Sequence, residues 1–346
     1  MEPITHFLTG ACLARAGFNR KTALATATMT IAAEAPDLDV FAQVRGPIFG
    51  FAHHRGFTHS FLGLLPVAAV TVGIIYIVWR IRGGKLKNPK LPPRWGLLFV
   101  FSYLAGLTHI LLDFTNQYGV RPFWPFSERW YAWDIVFIIE PVLYIFLLGA
   151  LLLPVLFALI NEEIGARRKG PQGRLAAILA LAGMVALYGL RDYEHRRAVS
   201  ALQSRLYEDA DPIRVSAFPF WWNPFEWYGV VETRSFFATM LVNSLTPEVD
   251  PQSDMQLHYK PEETPVTVAA KKSYVGRVYL DWARYPLTET EQIDSPQPGY
   301  IVRFQDLRFD YPGRVSKVLR ASVELDGSLK VVKEQWGIGQ PRAPAD

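Results

Sequence analysis

Residues 61–79 read FLGLLPVAAVTVGIIYIVW, a run of spanning length without a charge. A helix needs about 20 apolar residues to cross the hydrocarbon core, with about 17–25 tolerated. The stretch therefore predicts a transmembrane helix and sets the terms for the rest of the chain. On its C-terminal side Arg80, Arg82, Lys85, Lys87, Lys90 and Arg94 make a short loop with no acid. Past that loop the apolar pattern returns at 96–112, 135–160 and 175–190. The runs 61–79 and 135–160 suffice alone, and the other two need flanking residues. A lone short run would also suit a buried helix of a soluble protein. Four runs together, with basic flanks, favour a membrane bundle.

Two weaker segments lie upstream, 4–16 and 22–35, joined by a turn at 17–21. Each is short for a crossing. They read as a helical hairpin, either spanning a thinned bilayer or re-entrant against the other helices. The basic loops at 80–94 and 167–174 should face the cytoplasm. Arg191, Arg196 and Arg197 after the last run speak against this threading, but the purely basic loop at 80–94 decides it. The outer face then receives the start of the 61–79 helix, the end of the 96–112 helix and the start of the 135–160 helix. Everything after the last span follows outside.

From about residue 197 spanning runs stop and Pro, Gly and alternating patterns begin. Segments 274–282, 299–309 and 315–325 read as strands, and Asp326-Gly327 marks a hairpin. The aromatics from Trp221 through Trp222 to Trp227 suit a β-domain core, or else a belt at the lipid interface. The expected fold is an α-helical integral membrane domain (N-terminal helical hairpin plus four transmembrane helices) over 1–196, followed by a β-rich, extramembrane, periplasmic domain over 197–346. Composition agrees: of 346 residues, 50% are apolar and 20% charged, too mixed for either part alone. The net charge of +4 is mild and its bases sit between apolar runs, so no nucleic acid is expected. The single cysteine, Cys12, excludes an intramolecular disulfide and a Cys-rich zinc site. Met-Glu-Pro-Ile-Thr-His at the start lacks a basic n-region, which argues against a cleavable signal peptide.

Five of the seven histidines fall in the first third. His6, His59 and His109 each follow a threonine and each begin or interrupt an apolar helix. Ionisable residues at such places are expensive and point to function. In His53-His54-Arg55-Gly56-Phe57-Thr58-His59-Ser60, a bend at Gly56 would turn His54 and His59 toward one ion, with His53 a neighbour. His109 and Asp113 stand four apart, on one helix face. Imidazole and carboxylate at that spacing suit zinc or a similar ion. Pro36 ends the preceding helix and presents Asp37 and Asp39 beside His6. Bland readings stand beside these: loop solvation for Asp37 and Asp39, an interfacial role for His6, a plain hydrogen bond for His109 and Asp113. Asp134 reads as a cap at a helix entrance. Glu140 lies deeper and reads as a partner of a ligand histidine or a general base. His195 and His258 read as bland.

The set Thr5-His6, Pro36-Asp37-Leu38-Asp39, His54-Arg55-Gly56-Phe57-Thr58-His59-Ser60 and His109-Ile110-Leu111-Leu112-Asp113 resembles the YdjM-like family of bacterial inner-membrane metal-dependent hydrolases, over roughly the first half. The β-rich half is similar to a C-terminal extension of some members. The resemblance implies distant kinship with zinc-dependent phospholipases C, and hence a helical site where His and Asp hold several zinc ions.

The expected function is metal-dependent hydrolysis of a phosphoester or lipid-linked ester at the outer face of the inner membrane. His6, Asp37, His54, His59, His109 and Asp113 would hold divalent zinc or manganese. Asp39 or Glu140 would take a proton, and Arg55 would stabilise phosphoryl charge. Membrane lipids are the expected partners. A metal transporter is a rival, disfavoured because 64–76 and 143–159 offer almost no polar residues. A non-catalytic scaffold with a structural metal is another.

Overall fold

Glu2 starts the first helix of the computed structural model, which describes residues 1–86, 88–163, 173–221, 223–246, 255–294, 297–312 and 319–337. Its carboxylate accepts from the backbone N–H of Ile4 at 2.7 Å and of Thr5 at 2.9 Å, capping α1 (Pro3–Ala16). A short turn leads to α2 (Ala25–Ala32). At 1.5 Å per residue these helices reach about 21 and about 12 Å, short of a bilayer core of about 30 Å. They pack closely: a Cβ at Gly10 would stand 2.6 Å from the Met29 carbonyl oxygen. Small residues at such a contact let backbones approach and gain van der Waals energy.

After a 3₁₀ stretch (Ala35–Arg45) and α3 (Pro47–His53) come the long apolar helices α4 (Leu64–Ile81), α5 (Trp95–Thr115), α6 (Pro141–Glu163) and α7 (Arg174–Gln203). All four are long and apolar enough to span. Half of the span window of α5 is buried, against 22%, 17% and 22% for the others. Helix α5 is thus the bundle's central element, packed on α1, α2 and α4. The hairpin α1–α2 packs against α4, α5 and α6.

Two expectations need correction here. The third span begins at Pro141, not at 135. Residues 133–136 instead run along the end of α5, where Trp133 donates to the Phe114 carbonyl and Ile135 to that of Thr115. Asp134, with φ at +62°, lies in this stretch ahead of α6 and not at a helix entrance. The last span is longer than expected, continuing to Gln203 because polar residues after 190 extend the same helix beyond its apolar part.

Among the described residues the β-rich part contains two four-stranded sheets. One runs in the order β1 (Arg214–Pro219), β2 (Glu226–Glu232), β3 (Phe236–Asn243), β4 (Gln256–Tyr259). Between the sheets in sequence lie α8 (Pro265–Lys272) and α9 (Tyr274–Trp282). The second sheet is β5 (Pro286–Ile293), β6 (Gly299–Asp306), β7 (Ala321–Asp326), β8 (Val331–Trp336). Its strands pair antiparallel, with Val302 opposite Val323.

The segment 274–282 is a helix, not a strand. Its aromatic and β-branched content suggests strand, but Val275, Tyr279 and Trp282 fall at helical spacing and bury one face, and Ser273 caps the start. Residues 307–309 leave the strand for a 3₁₀ turn capped by Asp306. The hairpin at Asp326-Gly327 joins β7 to β8. Residues 167–169, Trp222 and 315–318 lie outside the described residues.

The chain divides into two compact units. The first is Met1–Val40, His54–Glu194 and Pro219–Pro224; the second is Phe41–His53, His195–Phe218 and Phe225–Asp346. The aromatic cluster is split by this division. Trp227 is a fully buried part of the β core, whereas Trp221 belongs to the helical unit and is 39% exposed.

Candidate metal centre

Three pieces of the helical unit converge on one point. Helix α5 brings His109 and Asp113, one turn apart, near its end. The turn after α2 brings Asp37, fixed by its N–H donating to the Glu34 carbonyl at 3.1 Å. The 3₁₀ turn Phe57–His59 brings His59. His59, His109 and Asp113 are fully buried, and the Asp37 side chain is 24% exposed.

One ligand atom from each of the four lies within 4.8 Å of the others. His59 Nε2 is 3.0 Å from His109 Nε2. It is 3.3 Å from Asp37 Oδ1 and 3.3 Å from Asp113 Oδ2. His109 Nε2 is 3.5 Å from each of those oxygens. A tetrahedral ion with ligand bonds of about 2.0–2.1 Å needs edges of about 3.3 Å. The buried group can therefore hold a metal ion. Its own hydrogen bonding is incomplete without one: Asp113 Oδ2 has no hydrogen-bond partner, and two imidazole nitrogens face each other.

The outer contacts aim these atoms. His109 Nδ1 sits 2.6 Å from the Ala33 carbonyl, which as an acceptor requires the proton on Nδ1 and frees the Nε2 lone pair. His59 Nδ1 lies 3.1 Å from Asp39 Oδ2 and 3.1 Å from Thr58 Oγ1. Asp39 thus backs His59, the carboxylate–histidine arrangement that orients metal ligands. Both Asp39 oxygens are engaged: Oδ1 with His54 Nδ1 at 2.8 Å, Oδ2 also with the Arg55 N–H at 2.8 Å and Thr58 Oγ1 at 3.2 Å. Three of these four contacts fall on Oδ2 and one on Oδ1.

The other expected residues separate. His54 turns to Asp39 and does not join the four-atom group. The bend responsible sits at Arg55, whose φ is +53°, one residue before the glycine expected to supply it. His6 stacks on His109 with ring centroids 3.7 Å apart, and its Nε2 is 3.4 Å from Asp113 Oδ1. Both of its ring nitrogens are buried without a hydrogen bond, so it adjoins the group with lone-pair capacity to spare. Arg55 turns inward. Its guanidinium donates to Asp113 Oδ1 at 2.8 Å and the Gly119 carbonyl at 3.0 Å, over the Tyr118 ring. The Met1 amine pairs with Asp113 as well. Glu140 lies apart, lining an apolar cavity with Phe146, Gly183 and Leu187, and burial raises its pKa against the pull of Arg191. His53 stacks on Phe49 away from the group.

One residue escaped the sequence reading. Glu34 precedes Asp37 by one 3₁₀ turn, and its Oε1 is buried without a partner. Burial, with Asp37 adding, lifts its carboxyl to about 7 despite the attraction of His109. The signal was present in Glu34-Ala35-Pro36-Asp37, where the turn that positions the aspartate also positions the glutamate.

Residues 1–198 match the sequence profile of the family described as YdjM inner membrane protein. The chain belongs to the YdjM inner membrane protein family. With four spanning helices it is a multi-pass inner-membrane protein. It is also similar to a protein of Bacillus subtilis (strain 168) named "Uncharacterized protein YfhP", 27% identical over 120 residues, or 34% of this chain and 33% of that one. The match thus spans about a third of that relative's length. No solved structure matches the chain. Within the YdjM-family region lie all four atoms of the group and the Ala33, Asp39 and Thr58 atoms in direct contact with the two imidazoles.

Proposed function

We propose that this YdjM-family chain is a membrane-bound metal-dependent hydrolase of phosphoesters or lipid-linked esters at the outer face of the inner membrane. The observation that carries it is the group of Asp37, His59, His109 and Asp113, whose ligand atoms all lie within 4.8 Å of one another and whose imidazole Nε2 atoms stand 3.0–3.5 Å from each other and from both carboxylate oxygens. Two imidazoles and two carboxylates suit zinc, with manganese the alternative. When bound, such an ion lowers the pKa of water to about 7 and so supplies a nucleophile at neutral pH. His6 stands ready as a further ligand or as part of a second ion's shell.

The protein's own residues divide the remaining work. Asp39 and the Ala33 carbonyl hold the two imidazoles in the tautomer that offers Nε2. Arg55 holds Asp113 Oδ1, which offsets the repulsion between the Asp113 and Asp37 carboxylates and leaves Oδ2 available to an ion. Glu34, whose Oε1 is buried without a hydrogen bond and whose carboxyl is lifted to about 7, is a candidate proton acceptor beside Asp39 and Glu140. Access is from the Asp37 side, the one partly open edge of the group. That opening favours hydrolase over a sealed structural site.

Two features favour a lipid-linked substrate and the outer face. Large apolar side chains flank the ligand motifs in exposed positions: Leu38 at 57%, Phe57 at 46%, Phe61 at 40% and Leu62 at 46%. The basic loop at 80–94 sits at the opposite ends of α4 and α5 from His59 and Asp113, which supports an outward site.

The test is metal content of the detergent-purified protein beside a His59→Ala/His109→Ala variant. Near-stoichiometric zinc or manganese is expected in the first and none in the second, with phosphoester or lipid-phosphate hydrolysis following the metal. Equal metal in both, or none in either after reconstitution, rejects the reading.

A further inference from the structure

We propose that the C-terminal unit clamps the loop between Asp39 and His54 and thereby positions the metal site, with Phe51 stacked on Trp336 as the clamp. This rests on the metal reading above and gives the β-rich unit a role in the same site.

The loop leaves and returns at one carboxylate. Asp39 Oδ1 meets His54 Nδ1 at 2.8 Å, and Asp39 Oδ2 accepts the Arg55 N–H at 2.8 Å. Residues 40–53 are therefore closed at the stem, as in the compact surface loops whose ends meet. Yet Phe41–His53 packs as part of the second unit, while Asp39 and His54 belong to the first. A chain that crosses between units twice within one closed loop ties the stem to whatever holds the tip.

The tip is built as a rigid knob. Gly50 lies against Gln43 so closely that a Cβ there would stand 2.9 Å from the Gln43 Cα. Gly46, with φ at +112°, makes the turn that allows this, and its N–H donates to the Gln43 carbonyl at 2.9 Å. The Arg45 guanidinium covers the Phe49 ring. From this knob Phe51 is buried, 7% exposed. Its ring stacks on Trp336 at 3.6 Å and 29°, and meets the edge of Trp282 at 5.2 Å. Trp336 ends the last described strand, β8, and Trp282 ends α9, so both anchors belong to the second unit's own framework. Aromatic pairs of this kind add specific geometry to burial.

The stem is where the clamp acts. Asp39 is the residue that orients His59 through Nδ1, and Arg55, next to His54, holds Asp113. Slack at residues 40–53 releases both at once. Phe51 and Trp336 touch no ligand; they are positioning residues.

The test compares wild type with Phe51→Ala, Trp336→Ala and the conservative Trp336→Phe, in the full chain in detergent. Hydrogen exchange is followed over residues 47–60, and zinc affinity by competition with a chelator. Expected are faster exchange at 54–60 and an affinity loss of about tenfold in both alanine variants, in the range that orienting partners control, with Trp336→Phe close to wild type. Exchange rising only at 47–53, with affinity unchanged, overturns the clamp and leaves a merely structural contact. If wild type takes up no zinc but the alanine variants still loosen 54–60, the metal reading fails and the clamp stands. Phe51→Leu provides a milder variant should Phe51→Ala lose its fold, and must show the same pattern at smaller size.

Discussion

Each unit buries charge, and the two do it differently. In the β-rich unit Asp306 and Arg308 form a finished pair. Asp306 accepts from the Arg308 N–H and Nε, both at 2.9 Å, and from the Arg284 N–H at 2.7 Å. Arg308 lies over Trp282 and donates to its carbonyl at 3.0 Å. In the helical unit, Asp37, His59, His109 and Asp113 crowd lone pairs together and leave Asp113 Oδ2 and both nitrogens of His6 without hydrogen bonds. A buried polar group left unsatisfied costs about 1–3 kcal/mol. The first constellation is complete as protein. The second is complete only with something electropositive at its centre. Burial of charge thus says little about function until its donors and acceptors have been matched.

The largest contrast comes from removing one member of each. Loss of His59 and His109 should eliminate metal, as argued above, while Arg308→Met should leave Asp306 buried and uncompensated. Breaking a buried pair in this way costs about 3–5 kcal/mol. The expected outcome is a lower urea midpoint for the C-terminal unit that excess zinc does not restore. Rescue by zinc would mean that the pair is not the closed device described. Next in size is Asp39→Asn. The amide still fills the space between His54 and His59 but withdraws the charge behind His59. Orienting carboxylates of this kind contribute about 10–100-fold to metal affinity. A loss in that range, with metal stoichiometry preserved at saturation, is expected in chelator competition; an unchanged affinity would reduce Asp39 to a loop staple.

Much of this was legible in the sequence, for physical reasons. Lipid demands long apolar runs, and those announced the spans. A ligand type is expensive at the end of such a run, and that expense announced Asp37, His59, His109 and Asp113. What was missed depended on partners distant in sequence or on backbone detail. Tyr274–Trp282 looks like strand by residue type, and only its burial every third or fourth residue marks a helix. The helix expected from 135 starts at Pro141 because the residues before it pair with the end of α5. His54 looked equal to His59, but a left-handed Arg55 turned it to Asp39. Glu34 hid in a segment read for its aspartates. Nothing near Phe51 indicated that its partners would be Trp282 and Trp336.

The smallest effect sharpens the comparison most, because it asks whether the helical cluster stores a proton where an ion belongs. Burial pulls the His59 imidazole down, but the surrounding carboxylates of Asp113, Asp37 and Asp39 outweigh it and lift the pKa from 6.5 to about 10. The metal-free site at pH 7 therefore holds His59 protonated. Its folded value lies above its unfolded one, so this proton stabilises the metal-free protein fully below about pH 6.5, and the contribution fades as pH rises toward 10. Asp37 and Asp39 go the other way: burial would raise them, yet hydrogen bonds from His109 and His59 to Asp37, and from His54 and His59 to Asp39, hold both below the usual carboxylate range. They have no proton to lose near neutrality. An ion requires the neutral imidazole, so it must displace the His59 proton. Zinc affinity should then climb about tenfold per pH unit above pH 7, since one pKa unit is about 1.4 kcal/mol. Titration calorimetry in two buffers of different ionisation enthalpy should count close to one proton released per ion. An affinity flat between pH 6.5 and 9 would mean the imidazoles are already neutral without metal. The lone pairs would then meet with no proton among them, and His59 would not be the proton store that an ion displaces.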